Sequence, residues 1–285
     1  MQLALDLPVE DGVVTGPAHI GPAQVTYRLA RQILAPATGM VQGYDFTLNP
    51  YSGCTFGCAY CYAANFTADP ERVNSWGQWV QVKANALELL RRESRVRGAR
   101  LYVGSVTDPY QPIERQVRLT RGLLDHLSRL GIPPRVVLQT RSPYVVDDIP
   151  LFQRFEHLRV NISITTDDDD IRKEFEPGCA AIWQRLHAAR ALIEAGIKVG
   201  ICVSPMLPIK NPERFAAELR DLGAARYTTS YFHRDRGAFA SGTRAAGRDL
   251  AAQCRWDAGA FLETMIRMKK VLPQLESKGQ GFQPE

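Results

Sequence analysis

A recurring pattern of amphipathic helix, glycine and short β-branched strand predicts an α/β fold. The pattern occurs four times, as "LELLRRESRVRG" then "ARLYVGSV", "RGLLDHLSRLG" then "RVVLQT", "QRLHAARALIEAG" then "IKVGICVS", and "ERFAAELRDLG" then "ARYTTSYF". Glycine suits the left-handed position that follows a helix's last turn. Two further strands, "YDFTLN" and "LRVNISIT", bring the count to about six, two short of a complete (β/α)8 barrel. We predict a partial (β/α)6 TIM-like barrel, with a doubly wound open sheet as the alternative.

Three segments are expected along the chain. Residues 1–41 are rich in proline and glycine and form an N-terminal extension, with one short helix predicted at "TYRLARQIL". Residues 42–240 form the partial barrel. Residues 241–285 comprise a linker, "SGTRAAGRD", and a C-terminal helix, "LAAQCRWDAGAFLETMIRMKKVL". In such folds the functional groups lie on the loops after the carboxyl ends of the strands.

The composition is that of an ordinary globular protein. The chain has 285 residues, of which 45% are hydrophobic and 23% are charged. It has no basic start before an apolar run, and no apolar segment approaches the roughly 18 residues that span a bilayer. We therefore expect a cytoplasmic protein without membrane segments. A net charge of +5 permits an anionic partner without requiring one.

Three cysteines, Cys54, Cys58 and Cys61, fall within eight positions of "NPYSGCTFGCAYCYAANF", while Cys179, Cys202 and Cys254 are scattered. In a reducing compartment this spacing favours metal binding over disulfides. A structural zinc site closes four ligands, commonly from two C-x2-C pairs, and the sequence offers no second pair. A [4Fe–4S] cluster ordinarily takes four thiolates, so three would leave one iron with an open coordination position, where chemistry occurs.

The stretch "CTFGCAYC", with an aromatic residue before the third cysteine, resembles the signature of the radical S-adenosylmethionine (radical SAM) superfamily. That resemblance implies a [4Fe–4S] cluster whose open iron chelates SAM. An electron from the reduced cluster then cleaves SAM to methionine and a 5′-deoxyadenosyl radical, which abstracts a hydrogen atom from a substrate. It also implies an external electron donor of the flavodoxin or ferredoxin type and the partial barrel predicted above.

Further motifs resemble the branch of this superfamily that contains spore photoproduct lyase, often described as photolyase-like. They are "VGSVTDPYQPIE", "QTRSP", "VNISITT", "FEPG" and "QRLHAARALIEAGIKVGICVSPMLP". With the cysteine motif they cover about residues 45 to 235. The resemblance therefore extends over most of the predicted barrel.

The resemblance also implies roles for individual residues. Cys54, Cys58 and Cys61 would ligate the cluster, and Tyr60 would lie against the adenine of SAM. Tyr62 matches a tyrosine that lies beside the substrate in the lyase and takes part in radical transfer, so it is the candidate catalytic residue. A loop-closing or packing role is the alternative for either tyrosine.

Four polar residues near the ends of successive strands and helices are candidates for binding SAM: Asp108, Arg141, Ser163 and Arg185. Hydrogen-bonding groups in these places would face the ribose hydroxyls and the SAM carboxylate, and a guanidinium pairs well with a carboxylate. An ion pair or a cap within the barrel is the alternative for each.

Two charged stretches have simpler interpretations. The run Asp167 to Asp170, ahead of "IRKEFEPG", is expected to cap a helix and to leave its surplus charge in water rather than bind a metal. His233 and the arginines after it lie at the predicted barrel mouth, where they are candidates for touching a substrate. A solvated loop is the favoured alternative.

Ser105 is a departure from the lyase. It aligns with the cysteine that donates a hydrogen atom in that enzyme, and a serine O–H bond is too strong to replace a thiol S–H in that step. Either another cysteine serves, with Cys202 the one near a strand end, or the chain does not catalyse that repair. We favour the second interpretation.

The leading functional hypothesis is a radical SAM enzyme acting on an undetermined substrate. A nucleic acid is one candidate, because of the branch and because Arg234, Arg236, Arg244 and Arg248 lie near the barrel exit. A peptide or a small molecule is another. The alternative of a different class is a non-catalytic Fe–S module that senses redox state and regulates nucleic-acid binding.

Overall fold

The computed structural model describes residues 9–10, 13–233, 242–277 and 282–284. Its strands are β1 Val9–Glu10, β2 Val13–Val14, β3 His19–Ile20, β4 Ala23–Arg28, β5 Leu34–Pro36, β6 Phe46–Leu48, β7 Tyr51–Gly53, β8 Trp79–Lys83, β9 Arg100–Val103, β10 Arg135–Thr140, β11 Leu158–Ser163, β12 Lys198–Val203, β13 Arg226–Thr229 and β14 Leu275–Ser277. Its α-helices are α1 Pro70–Asn74, α2 Ala86–Arg91, α3 Glu114–Val117, α4 Leu119–Ser128, α5 Ile149–Phe152, α6 Asp169–Phe175, α7 Ile182–Glu194, α8 Pro212–Asp221, α9 Ala245–Gln253 and α10 Ala258–Val271. Short 3-10 turns lie at Gly39–Val41, Tyr62–Phe66, Ser94–Val96 and Pro143–Asp148.

The main sheet confirms the predicted fold class. Its order is β14-β13-β12-β11-β10-β9-β6-β5, and the six strands from β6 to β13 in this order are all parallel. These are the six strands predicted from the sequence. In the described part of the chain the two edge strands, β5 and β14, do not pair with each other, so the sheet is a partial barrel rather than a closed one.

A second sheet lies beside the first, with the order β3-β4-β8-β7. The helix predicted at "TYRLARQIL" is wrong, because β4 occupies Ala23–Arg28 and pairs in parallel with β8. Ala23 and Val25 are buried while Gln24 is exposed, which is the two-residue period of a strand. Pairing with a distant strand outweighed the local helical pattern.

The predicted single C-terminal helix is also wrong, because α9 and α10 are separate. The break falls at Arg255, whose φ of 54° lies in the left-handed region. Asp257 then caps α10 by accepting a hydrogen bond from the amide of Ala260 at 2.9 Å. After α10 the chain returns to the main sheet, where β14 pairs in parallel with β13. The division into three segments stays a prediction.

The loops that follow the main strands lie where the sequence predicts functional groups. The aspartate run behaves as expected, because Asp168 caps α6 by accepting from the amide of Asp170 at 2.9 Å, and Asp167 accepts from the amides of Lys210 and Asn211.

None of the helices in the described residues has the length and apolar character needed to cross a membrane.

Candidate functional site

The three clustered cysteines lie in a loop that begins directly after β7. Cys54 and Cys58 are buried, Cys61 is half-buried, and all three line one cleft that contains about 1050 Å³ of empty space. The amide of Cys61 donates to the carbonyl of Cys58 at 3.1 Å, and Gln111 accepts from the amide of Thr55 at 3.0 Å. The loop is therefore held by a hydrogen bond within it and by Gln111, which lies in the segment after β9. Its three thiols line the same cleft.

A second loop, Pro177–Cys179, presses against the cysteine loop from the other side. The amide of Gly178 donates to the carbonyl of Phe56 at 3.0 Å. A Cβ at position 178 would lie 2.6 Å from the carbonyl oxygen of Thr55 and 2.9 Å from the Cα of Phe56. Only glycine allows this approach, because both obstacles are backbone atoms.

We therefore expect Gly178→Ala to destabilise the protein by about 1–3 kcal/mol, the usual cost of overpacking, and to loosen the cysteine loop. Urea denaturation measures the free energy of unfolding. Gly131→Ala is the matched control, because a Cβ there meets nothing within 4 Å and it should change stability little. Equal stability of the two variants would contradict the close approach.

Glu176 organises the polar floor of the site. Its carboxylate is fully buried and accepts hydrogen bonds from Arg141 Nη1 at 2.8 Å, from Thr165 Oγ1 at 2.9 Å and from the hydroxyl of Tyr60. Its other oxygen pairs with Arg185 Nη2 at 2.6 Å. Burial acts to raise the pKa of Glu176, but the guanidinium groups of Arg185 and Arg141 outweigh it and lower that pKa to about 2. Glu176 is therefore a buried carboxylate anion.

Arg141 links this floor to the cysteines. It comes directly after β10, lines the cleft, and donates from Nη1 to Cys58 Sγ at 3.2 Å and to the Tyr60 hydroxyl at 2.6 Å. Its guanidinium carbon lies 5.8 Å from the centroid of the Tyr60 ring. The predicted SAM-binding arginine is thus brought together with a predicted cluster ligand and the predicted adenine neighbour.

The other three residues predicted to bind SAM differ in position. Ser163 lines the cleft and accepts from Gln139 Nε2 at 2.7 Å. Asp108 also lines it, but its carboxylate accepts from Thr140 Oγ1 at 2.6 Å and from the amides of Tyr110 and Arg141. Asp108 therefore fixes the backbone that carries Arg141.

Arg185 is placed behind the cleft. Its side chain has 0% exposure, and it donates to the carbonyl of Ala180 at 3.0 Å besides pairing with Glu176. It does not reach the space that Arg141 faces. The ion-pair alternative weighed for Arg185 from the sequence is the arrangement that the structure has.

Tyr60 and Tyr62 both line the cleft but differ in environment. The hydroxyl of Tyr60 belongs to the Glu176 network, whereas the hydroxyl of Tyr62 donates to the backbone carbonyl of Ser105. The ring of Tyr62 lies edge-on to that of His233, with centroids 6.0 Å apart. Burial raises the pKa of both phenols, so each keeps its proton at neutral pH.

Cys179 is distant from the cysteine loop in the sequence but lies beside it in the structure. Its sulfur lies 3.8 Å from Cys58 Sγ, and both thiols are buried. This contact, together with the charge of Arg141, lowers the pKa of Cys58, whereas burial raises the pKa of Cys54 well above its ordinary range and that of Cys61 to about 11. Cys58 is therefore the thiol of the loop that most readily becomes a thiolate.

Aromatic and apolar side chains also line the cleft. They include Met40, Tyr102, His233 and Phe282, and Ser105 lines the same space. Met40, His233 and Phe282 also line an adjoining cleft with Gly43 and Tyr231, so the two spaces meet.

The predicted arginines of the barrel exit have mixed outcomes. Arg234 and Arg236 lie outside the described residues. Arg244 Nη2 donates to the carbonyl of Val73 at 3.1 Å, and Arg248 Nη1 donates to the carbonyl of Thr243. Arg244 and Arg248 therefore bind the protein's own backbone.

Comparison with known proteins identifies the family. The profile of the radical SAM superfamily matches residues 48–222. The chain belongs to the radical SAM superfamily. The match spans the cysteine loop and the main-sheet strands from β9 to β12, so it covers the site just described. The cofactors of this radical SAM protein are those of the superfamily, a [4Fe–4S] cluster and SAM.

Relatives of this radical SAM chain include an uncharacterized protein of Methanocaldococcus jannaschii, 32% identical over 168 residues, which are 59% of this chain and 62% of that protein. A radical SAM Nalpha-GlyT isomerase of Pseudomonas phage M6 is 28% identical over 163 residues, 56% of this chain and 32% of that protein. The chain therefore spans less than two thirds of the length of these relatives.

Among solved structures, spore photoproduct lyase complexed with dinucleoside spore photoproduct superposes on this radical SAM chain with a TM-score of 0.56. The alignment covers 89% of this chain and 81% of that one, at 16% sequence identity. At this identity the likeness concerns the fold. It agrees with the partial barrel.

The residues of the cleft fit the superfamily's cofactors. In the described part of the chain no three Cys, His, Asp or Glu side chains converge closely enough to hold a single metal ion. Three thiols spread around a cleft instead suit a cluster, in which each thiolate binds a different iron. Arg141 supplies a cationic donor beside them, as an anionic cofactor group requires.

Two residues of the site, Glu176 and Cys179, were missed by the sequence interpretation. Glu176 was quoted within "FEPG" without a role, and the motif was the available signal for it. Cys179 directly follows that motif, but its contact with Cys58, 121 positions earlier, depends on the tertiary approach of two loops.

Proposed function

We propose that this radical SAM protein is an enzyme that cleaves SAM reductively and abstracts a hydrogen atom from a substrate held in the aromatic part of the cleft. The observation that carries the proposal is the single cleft shared by Cys54, Cys58, Cys61 and Arg141. When bound there, the cluster and SAM supply a 5′-deoxyadenosyl radical. The chain's residues bind, orient and enclose the reactants.

Arg141 is proposed to hold the carboxylate of SAM. It is the arginine among the described residues that line the cleft, and its Nη1 already lies 3.2 Å from a predicted cluster ligand. Asp108 orients it through the backbone and Glu176 through its side chain. Ser163, which also lines the cleft, is proposed to bind a hydroxyl of SAM.

The aromatic wall is proposed to receive the substrate and to limit the entry of water. Tyr102, Phe282 and Met40 supply apolar surface in the cleft that the cysteines line. Excluding water protects a reactive intermediate from side reactions. The adjoining cleft, which shares Met40 and Phe282, offers room for the part of the substrate that does not react.

Tyr62 is proposed to face the substrate and to exchange its O–H hydrogen with a substrate radical. Its hydroxyl hydrogen is directed to the carbonyl of Ser105, and its ring lines the cleft. No thiol stands at Ser105, and Cys202 is buried against Gln139 at 3.6 Å without lining the cleft. We therefore do not propose the lyase's repair reaction for this chain.

A nucleic-acid component is the substrate class we favour. The phage relative is named for a Nalpha-GlyT isomerase, and the solved lyase holds a dinucleoside photoproduct. The aromatic wall also suits stacking with a base. Among the described lining residues of both clefts, Arg141 and His233 are the basic side chains, so phosphate groups would be held outside the cleft.

Binding of single- and double-stranded DNA over a series of salt concentrations tests this substrate class. A steep fall of affinity with salt is expected for phosphate contacts. Binding that does not depend on salt, or that is undetectable, would favour a peptide or a small molecule.

The enzymatic proposal is tested with anaerobically reconstituted protein, dithionite and SAM. We expect release of 5′-deoxyadenosine, and none from Cys58→Ala treated in the same way. SAM should also perturb the electron paramagnetic resonance signal of the reduced cluster. An unchanged signal and no product would support the alternative of a non-catalytic redox-sensing module.

Arg141→Ala is expected to weaken SAM binding by roughly 10- to 100-fold, because charge-assisted hydrogen bonds contribute about 1.5–3 kcal/mol. Equilibrium dialysis with labelled SAM on cluster-loaded protein measures the dissociation constant. Arg154→Ala serves as the control, since Arg154 pairs with Asp125 on the surface. Equal affinity of the two variants for SAM would contradict the proposed role of Arg141 in binding SAM.

A further inference from the structure

Cys58 and Cys179 form a close pair of thiols that the proposed reaction does not use. Their sulfurs lie 3.8 Å apart, and the exposed fractions of the two residues are 5% and 6%. Among the described residues, this is the sulfur–sulfur pair that meets hydrogen-bond geometry. A disulfide bond is about 2.05 Å long, so the two sulfurs need to approach by somewhat less than 2 Å.

The backbone holds the two segments side by side. The carbonyl of Phe56 accepts from the amide of Gly178 at 3.0 Å, and the amide of Ala59 donates to the carbonyl of Phe175 at 2.8 Å. These two hydrogen bonds join the cysteine loop, on either side of Cys58, to the segment that runs directly into Cys179. The two cysteines are therefore held in neighbouring segments of backbone.

The two thiols differ in access. Cys58 lines the cleft, and Arg141 Nη1 lies 3.2 Å from its sulfur. Cys179 does not line the cleft and lies behind Cys58. A small molecule entering the cleft thus meets Cys58 first, and Cys179 is placed to resolve the product.

We propose that, in protein without its cluster, Cys58 and Cys179 are a site of reversible disulfide formation whose co-reactant is a low-molecular-weight disulfide such as oxidised glutathione. The Cys58 thiolate attacks one sulfur of the co-reactant, forming a mixed disulfide and releasing one thiol. Cys179, losing its proton, then attacks the Cys58 sulfur and releases the second thiol. Two protein thiols are oxidised and one small disulfide is reduced to two thiols, so atoms and electrons balance.

This modification removes a cluster ligand without destroying it. A disulfide is restored by reduction, whereas a sulfinic or sulfonic acid at Cys58 is not restored by ordinary thiols. The oxidised protein accepts no cluster until it is reduced. The proposal depends on the family only for this consequence, since disulfide formation itself requires neither SAM cleavage nor any substrate.

The test treats cluster-free protein with oxidised glutathione under anaerobic conditions, alkylates the remaining thiols and maps peptides by mass spectrometry without reduction. We expect a tryptic peptide carrying Cys179 to be linked to the peptide carrying the cysteine loop, with fragmentation placing the bond at Cys58. Dithiothreitol should restore both free thiols and the uptake of iron and sulfide.

Variants separate the two chemical steps. Cys179→Ala should retain a glutathione adduct at Cys58, because the resolving thiol is gone, and Cys58→Ser should leave Cys179 free for alkylation. Cys202→Ala is the matched control, a buried cysteine that contacts Gln139, and it should still form the link. If Cys179→Ala fails to fold, Cys179→Ser replaces it, with circular dichroism as the check on folding.

Two results would overturn the proposal. One is a wild-type protein in which Cys179 is still fully available for alkylation after treatment with oxidised glutathione. The other is a disulfide that joins two cysteines of the loop, such as Cys54 and Cys61. Neither result depends on whether 5′-deoxyadenosine is released, so failure here is distinguishable from failure of the proposed enzymatic function.

Discussion

Glu176→Ala is expected to destabilise the protein by about 3–5 kcal/mol, the largest stability effect of a single change at this site. Removing the carboxylate leaves Arg185, whose side chain has 0% exposure, without its charge partner. Arg141 and Tyr60 lose the acceptor that orients them at the same time. Urea denaturation of the wild type and the variant measures the difference in free energy of unfolding.

Glu174→Ala is the matched control. Glu174 is exposed on the same helix, two residues before Glu176, and its removal should change stability by no more than about 0.5 kcal/mol. A similar small effect at Glu176 would mean that the buried ion pair contributes nothing.

The same carboxylate predicts a pH dependence of stability. Its pKa is about 2 in the folded protein, below the ordinary value of 4.5, so the folded state releases this proton more readily than the unfolded state. The stabilisation is fully present above about pH 4.5 and is lost as the pH falls toward 2. We expect the wild type to lose more stability than Glu176→Gln across this window, as followed by denaturation at each pH.

The cysteine series has the largest expected effect on activity. Cys54→Ala, Cys58→Ala and Cys61→Ala should each bring cluster content and release of 5′-deoxyadenosine to background, because each removes one of the three proposed thiolate ligands. Cys179→Ala should keep a cluster, although its sulfur lies 3.8 Å from Cys58. Iron and sulfide analysis with the product assay measures both quantities.

Cys179→Ala also distinguishes a cluster held by three cysteines from one held by four. Loss of the cluster in this variant would make Cys179 a fourth ligand and would close the iron position that SAM requires. Cys254→Ala, at a half-buried cysteine after α9, controls for the general effect of removing a thiol.

Much of the barrel could be predicted because its strands and helices follow local rules. The strands "RVVLQT" and "LRVNIS" are short and contain β-branched residues, and the sequence predicted both where β10 and β11 lie. The errors occurred where a distant partner outweighed local pattern. The first three residues of the helix predicted at "TYRLARQIL" belong to a strand, because β8 pairs with them from 55 residues further along the chain.

The candidate site divides in the same way. The cysteine loop is a contiguous motif that the sequence displays directly, and Arg141 follows β10, a strand that local pattern predicted. Their roles in binding the cofactors stay predictions. Glu176 and Cys179 gain their roles from contacts with residues 35 to 121 positions away, which no spacing rule reports. Arg185 was predicted to face SAM, yet it contacts the buried carboxylate instead.

The two edge strands of the main sheet, β5 and β14, do not pair with each other, and they belong to the early and late parts of the described chain. The cysteine loop follows β7 of the second sheet and Arg141 follows β10 of the main sheet, whereas Met40 and Phe282, from the segments that adjoin the two edge strands, line the same cleft. In the proposed function these two segments contribute to the choice of substrate. Exchanging the segments that carry Met40 and Phe282 between homologous proteins should alter which substrates are accepted, while the residues proposed to generate the radical stay the same.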